Sequence, residues 1–234
     1  CPSLYPGGAS IGPKQIHQAI EGSLGRLKTD RLDIWMFHRD DPSLPLGPLI
    51  DALDEEIQSG RLGAWGASNW TTARLQEAID LAASTGKAAP VASSPNFSLA
   101  HANEPYWPDT VVTSADDRAW FTRTSMPLVA WSSLGRGFFS HGREDDRSNA
   151  DLVRVYYSKE NFSRKHRAEA LAGHKGCTLF EIAIGWVISQ PFPVTALCGA
   201  RTLDEVATAL LAGDLQLSVE ESRWLDGTSA KRPF

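Results

Sequence analysis

The sequence is poor in cysteine, has no long apolar run, carries no excess of positive charge and contains no Gly/Ser-rich linker. Its three cysteines, Cys1, Cys177 and Cys198, are far apart and never spaced as CxxC. An odd, scattered set supports neither a disulfide framework nor a zinc site, so a reducing cytoplasm is the expected location. No segment approaches the ~18 uninterrupted apolar residues that span a bilayer, and no signal peptide is recognised at the start. A formal charge of -5 over 234 residues offers nucleic acid or an anionic membrane no electrostatic attraction. Paired carboxylates and metal-ligand clusters are missing from the candidate strand ends; Asp40-Asp41 and Glu55-Glu56 read as solvated charge. An initiator Met is also missing. The chain opens on Cys1-Pro2, which raises the expectation of a piece of a longer protein.

What is present is an ordinary globular composition, 42% apolar and 22% charged, with a regular alternation of periods. Ile16, Ile20, Leu24 and Leu27 form one helical stripe, followed by the apolar run Ile34–Phe37. Leu46, Leu49, Ile50, Leu53 and Ile57 return to helical spacing, with Gly60 as the stop. The pattern then predicts strand 63–67, a helix from Thr71 to Gly86 capped by Thr71 or Asn69, strand 89–93, and helix 114–124 with acids in its first turn. Strand 127–131, a helix over 178–189 apolar around most of its circumference, strand 194–197 and helix 202–212 complete the series. Five such βα repeats imply a parallel α/β sheet, and no change of composition divides the chain, so residues 1–234 read as one domain. The irregular stretches 94–112 and 134–162 are long enough to be functional loops.

The strand ends carry the polar residues. The run "DIWMF" ends in His38, "LGAWGA" in Ser68-Asn69, "PVAS" in Ser93-Ser94, "LVAW" in Trp131-Ser132 and "VTAL" in Cys198-Gly199. In a parallel barrel all of these ends open onto one rim, where catalysis takes place. Each residue also has a plain structural role. A lone His at a strand end is commonly a hydrogen-bonded polar terminus, Ser68-Asn69 suits a helix N-cap, and Trp131 suits simple packing. "SSLGRG" lacks the spacing of a phosphate-binding P-loop.

Four segments in order resemble the aldo-keto reductases over essentially the whole chain: "SLGRLKTDRLDIWMFHRDDP", "GRLGAWGASNW", "PLVAWSSLGRG" and "CGARTLDEV". The resemblance implies a TIM-type (β/α)8 barrel, here about the last five βα units, binding NADP(H), with NAD(H) as the other candidate. It makes His38 the catalytic hydrogen-bond donor to a substrate carbonyl. It places Ser68 and Asn69 on the nicotinamide carboxamide, with Ser94 where the family usually has Gln, and stacks Trp131 on the nicotinamide ring. Ser132, Leu134 and Arg136 would line the pyrophosphate, and Gly199, Arg201 and Glu205 the adenosine end. Arg201 suits a 2′-phosphate because a guanidinium grips phosphate through parallel hydrogen bonds, whereas Glu205 would repel it. Thr208-Ala209 stand where a Glu-Asn pair is usual.

In family order His38 ends the fourth strand, so the first three strands, with the catalytic Tyr, Asp and Lys, are expected outside these residues; Tyr5 matches no motif. The function implied is reduction of aldehydes and ketones, with the chain inactive by itself. The alternative is a nucleotide-binding, regulatory barrel of the same superfamily. A barrel of unrelated chemistry is disfavoured because no carboxylate pair or metal set gathers at the rim. Tyr106, Trp107, Phe138, Phe139, Tyr156 and Tyr157 suggest either an aromatic pocket for a small carbonyl or alcohol substrate or loop packing.

Overall fold

The computed structural model describes residues 11–200 and 202–234. Packing divides the chain into two compact units, one ending at Ser94 and the other beginning at Pro95.

The first unit runs as three helix–strand pairs. Helix α1 (Pro13–Leu27) opens on a proline, whose missing N–H costs nothing in a first turn, and closes on Lys28 in the left-handed conformation. It buries Ile16 and Ile20 and leaves Leu27 exposed, so only the first half of the predicted stripe is covered. Strand β1 (Leu32–Phe37) leads to α2 (Leu46–Gln58), β2 (Leu62–Ser68) and α3 (Thr72–Thr85). β1 and β2 run parallel in the register Leu32 to Leu62 and Phe37 to Ala67. The run Ile34–Phe37 is not buried throughout. Trp35 and Phe37 are covered, packing edge-on at 4.9 Å, and Phe37 meets Trp65 at 6.0 Å and Trp70 at 5.1 Å. Ile34 points to the other face and is 54% exposed, the alternation that a strand's two-residue period imposes.

The third predicted strand, 89–93, contracts to β3 (Ser93–Ser94), parallel to β2 through Ala67–Ser93 and Ser68–Ser94. Pro90 has no N–H to give, so ladder bonding begins only with Val91 N donating to Trp65 O at 2.8 Å. A second correction concerns charge. Glu56 is fully buried rather than solvated, its Oε1 accepting from His17 Nδ1 at 2.6 Å and Arg61 Nη2 at 2.7 Å. Asp40 is also mostly buried, 3.4 Å from Arg74 Nε.

The second unit starts with the loop 95–114, followed by α4 (Ala115–Thr124) and β4 (Leu128–Ala130). The predicted loop 134–162 is largely helical instead: a 3-10 turn (Gly135–Gly137), α5 (Phe138–His141), α6 (Ala150–Tyr156) and the start of α7 (Lys159–Lys175). Phe138, Phe139 and Tyr156 belong to its core. Then come α8 (Leu179–Ile188), β5 (Val194–Ala196), α9 (Leu203–Asp214) and α10 (Val219–Leu225). β4 and β5 are parallel, Leu128 opposite Val194 and Ala130 opposite Ala196. Reciprocal caps, Ser114 with Asp117, Thr178 with Glu181 and Ser218 with Glu221, fix where α4, α8 and α10 begin. No helix among the described residues is long and apolar enough to cross a membrane.

Candidate cofactor-binding and catalytic site

In the first unit the predicted residues meet at one end of the strands. β2 ends at Ser68, and Asn69 takes a left-handed φ of 59°, a conformation that Asn tolerates better than other side-chain-bearing residues. This bend lets the chain reverse into α3, whose N-cap is Thr71 and not Asn69; Thr71 accepts from Arg74 N. The Asn69 side chain is thereby spared for the rim. Its Nδ2 donates to the backbone oxygen of His38 at 2.9 Å and to Ser68 Oγ at 3.0 Å. Ser68 Oγ donates in turn to Ser94 O at 2.6 Å, which also accepts from Asn69 N at 3.2 Å. One hydrogen-bonded line therefore joins the ends of β1, β2 and β3, and Ser68, Asn69 and Ser94 are all buried in it.

His38 sits just beyond β1, half-buried. Burial, and then the neighbouring Arg39 guanidinium, hold its imidazole below the usual histidine pKa, so near neutral pH it is an uncharged ring with one N–H to donate. Next to it lies the Asp40–Arg74 pair, which the sequence reading missed. Burial raises the Asp40 pKa even though Arg74 pulls it down. The guanidinium is held over the Trp70 ring at 5.5 Å and donates to Leu44 O at 2.6 Å. Charge partners this far apart in sequence leave no local signature.

In the second unit the loop after β4 carries Trp131, Ser132, Leu134 and Arg136. Trp131 continues the strand by one residue, its N–H donating to Pro95 O at 3.2 Å. Buried Asn96 bridges to it, a role that sequence did not suggest. The Trp131 ring is half-buried, and its indole nitrogen is buried with no hydrogen-bond acceptor among the described residues. Ser132 has φ 54°, and Gly135, Arg136 and Gly137 have φ 57°, 54° and 91°. Glycine at 135 relieves the strain of its left-handed φ, and an added Cβ would lie 3.3 Å from Phe138 Cβ, a tight approach. Arg136 lies 4.7 Å from the Tyr106 ring centroid and 4.8 Å from that of Trp107, whose own ring is 5.9 Å from Trp131. A cation and three aromatic rings thus gather at this strand end.

The loop after β5 leaves the same end of the β4–β5 pair, tied to it by Ser133 Oγ donating to Leu197 O at 3.3 Å. Gly199 is exposed with open space where a Cβ would go. Arg201 lies outside the described residues. Glu205 is in the first turn of α9, where Asp204 and Glu205 already complement the helix dipole. Cys198 is a free thiol whose pKa burial raises, unsuited to nucleophilic work. Among the described residues no set of His, Cys, Asp and Glu gathers as metal ligands.

The donor set of each unit suits a dinucleotide. The Trp131 ring offers a stacking face, and the backbone of 132–137, opened by glycines, suits a pyrophosphate.

A family model described as the aldo/keto reductase family matches residues 3–229. A putative voltage-gated potassium channel subunit beta of Schizosaccharomyces pombe is 24% identical over 221 residues, covering 86% of this chain and 59% of that protein. An aldo-keto reductase of Fusarium vanettenii is 26% identical over 227 residues, covering 94% and 58%. The structure of an aldo-keto reductase from Klebsiella pneumoniae in complex with NADPH superposes with a TM-score of 0.68 at 25% identity, covering 95% of this chain and 67% of that one. The chain thus spans less than two thirds of the length of these curated relatives.

Proposed function

The chain belongs to the aldo/keto reductase family, and from that premise we propose that it forms part of a (β/α)8-barrel oxidoreductase that reduces aldehydes or ketones with NADPH, NADH being the second choice. The observation that supports this reading is the hydrogen-bonded line from the His38 backbone oxygen through Asn69 and Ser68 to Ser94 O, which sets the Asn69 amide next to the residue that carries the imidazole. Reduced nicotinamide, when bound, supplies the hydride. His38 donates its N–H to the substrate carbonyl oxygen and so favours charge developing there. Asn69 and Ser68 orient the carboxamide, Ser94 fixing the Ser68 hydroxyl, and Trp131 stacks against the ring. Ser132, Leu134 and Arg136 take the pyrophosphate, and Gly199, Arg201 and Glu205 the adenosine end.

His38 is the one member of the family's catalytic set matched within these residues, so turnover belongs to the complete protein and this chain alone does not reduce carbonyls. A reducing cytoplasm, where Cys177 and Cys198 stay thiols, is the proposed setting. The second reading, a nucleotide-binding regulatory barrel, is favoured by the relative named as a channel beta subunit. Titration of the protein with NADPH should quench tryptophan fluorescence, and Trp131→Leu should remove that response. Arg201→Ala should weaken NADPH more than NADH. Equal weakening of both would mean that Arg201 does not read the 2′-phosphate, and no quenching at any concentration would sink the cofactor assignment.

A further inference from the structure

The second unit holds another polar assembly, built from none of the residues assigned above. A cleft of about 170 Å3 is lined by His101, by Arg118 of α4, by Arg164 of α7 and by Asp226 just beyond α10. Both guanidiniums are anchored to residue 226: Arg118 Nη1 donates to Asp226 Oδ2 at 3.0 Å and Arg164 Nε to Asp226 O at 3.2 Å. A fully buried amide organises the rest. Asn161 Oδ1 accepts from Arg164 Nη1 at 2.7 Å and from His101 N at 3.0 Å, while its Nδ2 donates to His101 O at 2.7 Å. The cleft is therefore preorganised rather than a chance meeting of surface side chains.

Its charge is poorly balanced. The second oxygen of Asp226 is taken by Thr228, from N at 2.9 Å and Oγ1 at 2.7 Å. Asp117, in the first turn of α4, is turned back onto Ser114 N and Oγ at 2.9 and 2.7 Å. Arg118 Nε and Nη2 and Arg164 Nη2 meet no acceptor among the described residues. Arg167 adds a further positive charge acting on Arg164, opposed by Glu160. Burial, more than the neighbouring guanidiniums, depresses the pKa values of both Arg164 and His101, while Asp226 acts in the opposite direction on Arg164.

We propose that this cleft binds a tetrahedral oxyanion of the phosphate class between Arg118 and Arg164. Two planar forks arriving from separate helices match an ion with three or four oxygens, whereas a carboxylate has oxygens for one fork. A free ion and the terminal group of a phosphate ester share this chemistry.

The test is titration of the chain with inorganic phosphate at constant ionic strength, balanced with chloride, with and without saturating NADPH. Thermal stability and the NMR signal of the His101 imidazole are the readouts. The expected result is a saturable rise in melting temperature and a moving His101 signal, both surviving NADPH saturation. Arg164→Gln should weaken the apparent affinity at least ~10-fold by loss of a charged hydrogen-bonding partner, while Arg147→Gln leaves it unchanged. Should Arg118→Gln fail to fold, Arg164→Gln decides alone. Phenyl phosphate binding more tightly than inorganic phosphate would identify an ester as the source, and the reverse the free ion; either upholds the site. An equal response to acetate or chloride, a response abolished by NADPH, or one unchanged in Arg164→Gln overturns the proposal.

Discussion

The strand ends of the first unit and those of the second solve opposite problems. In the first, the polar side chains are buried and bonded to one another: Asn69 to His38 O and Ser68, Ser68 to Ser94 O. In the second, the predicted residues Trp131, Ser132, Leu134, Arg136 and Gly199 are half-buried or exposed. Ser132 and Arg136 are held mainly by backbone bends, and Arg136 rests on aromatic faces. A closed network sets geometry, and a loosely covered loop of glycines and rings can adapt to what it receives. Stability and binding should therefore separate between the two.

The largest expected effect is on the closed side. Asn69→Ala removes two hydrogen bonds, to His38 O and Ser68 Oγ, and puts alanine at a left-handed φ, so it should cost ~2–4 kcal/mol in urea unfolding. Ser132→Ala, at the matching place in the second unit, should cost less than ~1 kcal/mol. Similar losses for the two would erase the contrast. Arg136→Ala comes next: exposed cation–π contacts contribute ~0.5–1 kcal/mol, so stability changes by about that much or less, whereas NADPH affinity falls several-fold. A large drop in melting temperature without a change in affinity would make Arg136 a packing residue.

The smallest effect concerns pH. The folded pKa of His38 is depressed, so the unfolded chain takes up the proton first as pH falls. The stabilisation is complete above the unfolded histidine value of ~6.5 and is lost as pH drops toward and through the folded value. His38→Gln should reduce the loss of stability between pH 7.5 and pH 5, only in part because His101 is depressed as well. Parallel pH curves for the two proteins would contradict the assignment.

What could be read from sequence follows from how locally each feature is encoded. β1, β2 and α3 were legible because period, cap and terminator lie within a few residues of one another. α7 was missed because its buried positions are Asn161, Phe162, Lys165, Ala168, Leu171 and Ala172, a stripe too polar and too small to register as apolar. Lys165 earns its burial by donating to Gly142 O at 2.6 Å, a partner outside its own helix. Glu56 looked solvated because one of its partners, His17, is 39 residues away. For the site, the residue types at 38, 68, 69 and 94 were visible, but which atom bonds which was not. The left-handed turn at Asn69 aims that amide, and no sequence period announces it.

Helices α8 and α9 are both rich in aliphatic residues, yet α8 buries Ile182 through Val187 while α9 buries only Ala212. Leu203, Val206, Leu210 and Leu211 on α9 are 87%, 43%, 71% and 60% exposed. Such a stripe sets how this chain behaves in a test tube. It makes α9 the first place to look for self-association as concentration rises, for retention on hydrophobic chromatography resins and for capture by chaperones during expression. Exchanging Leu203 and Leu210 for Glu should raise the concentration at which the chain precipitates while leaving the hydrogen-bonded rim of the first unit intact.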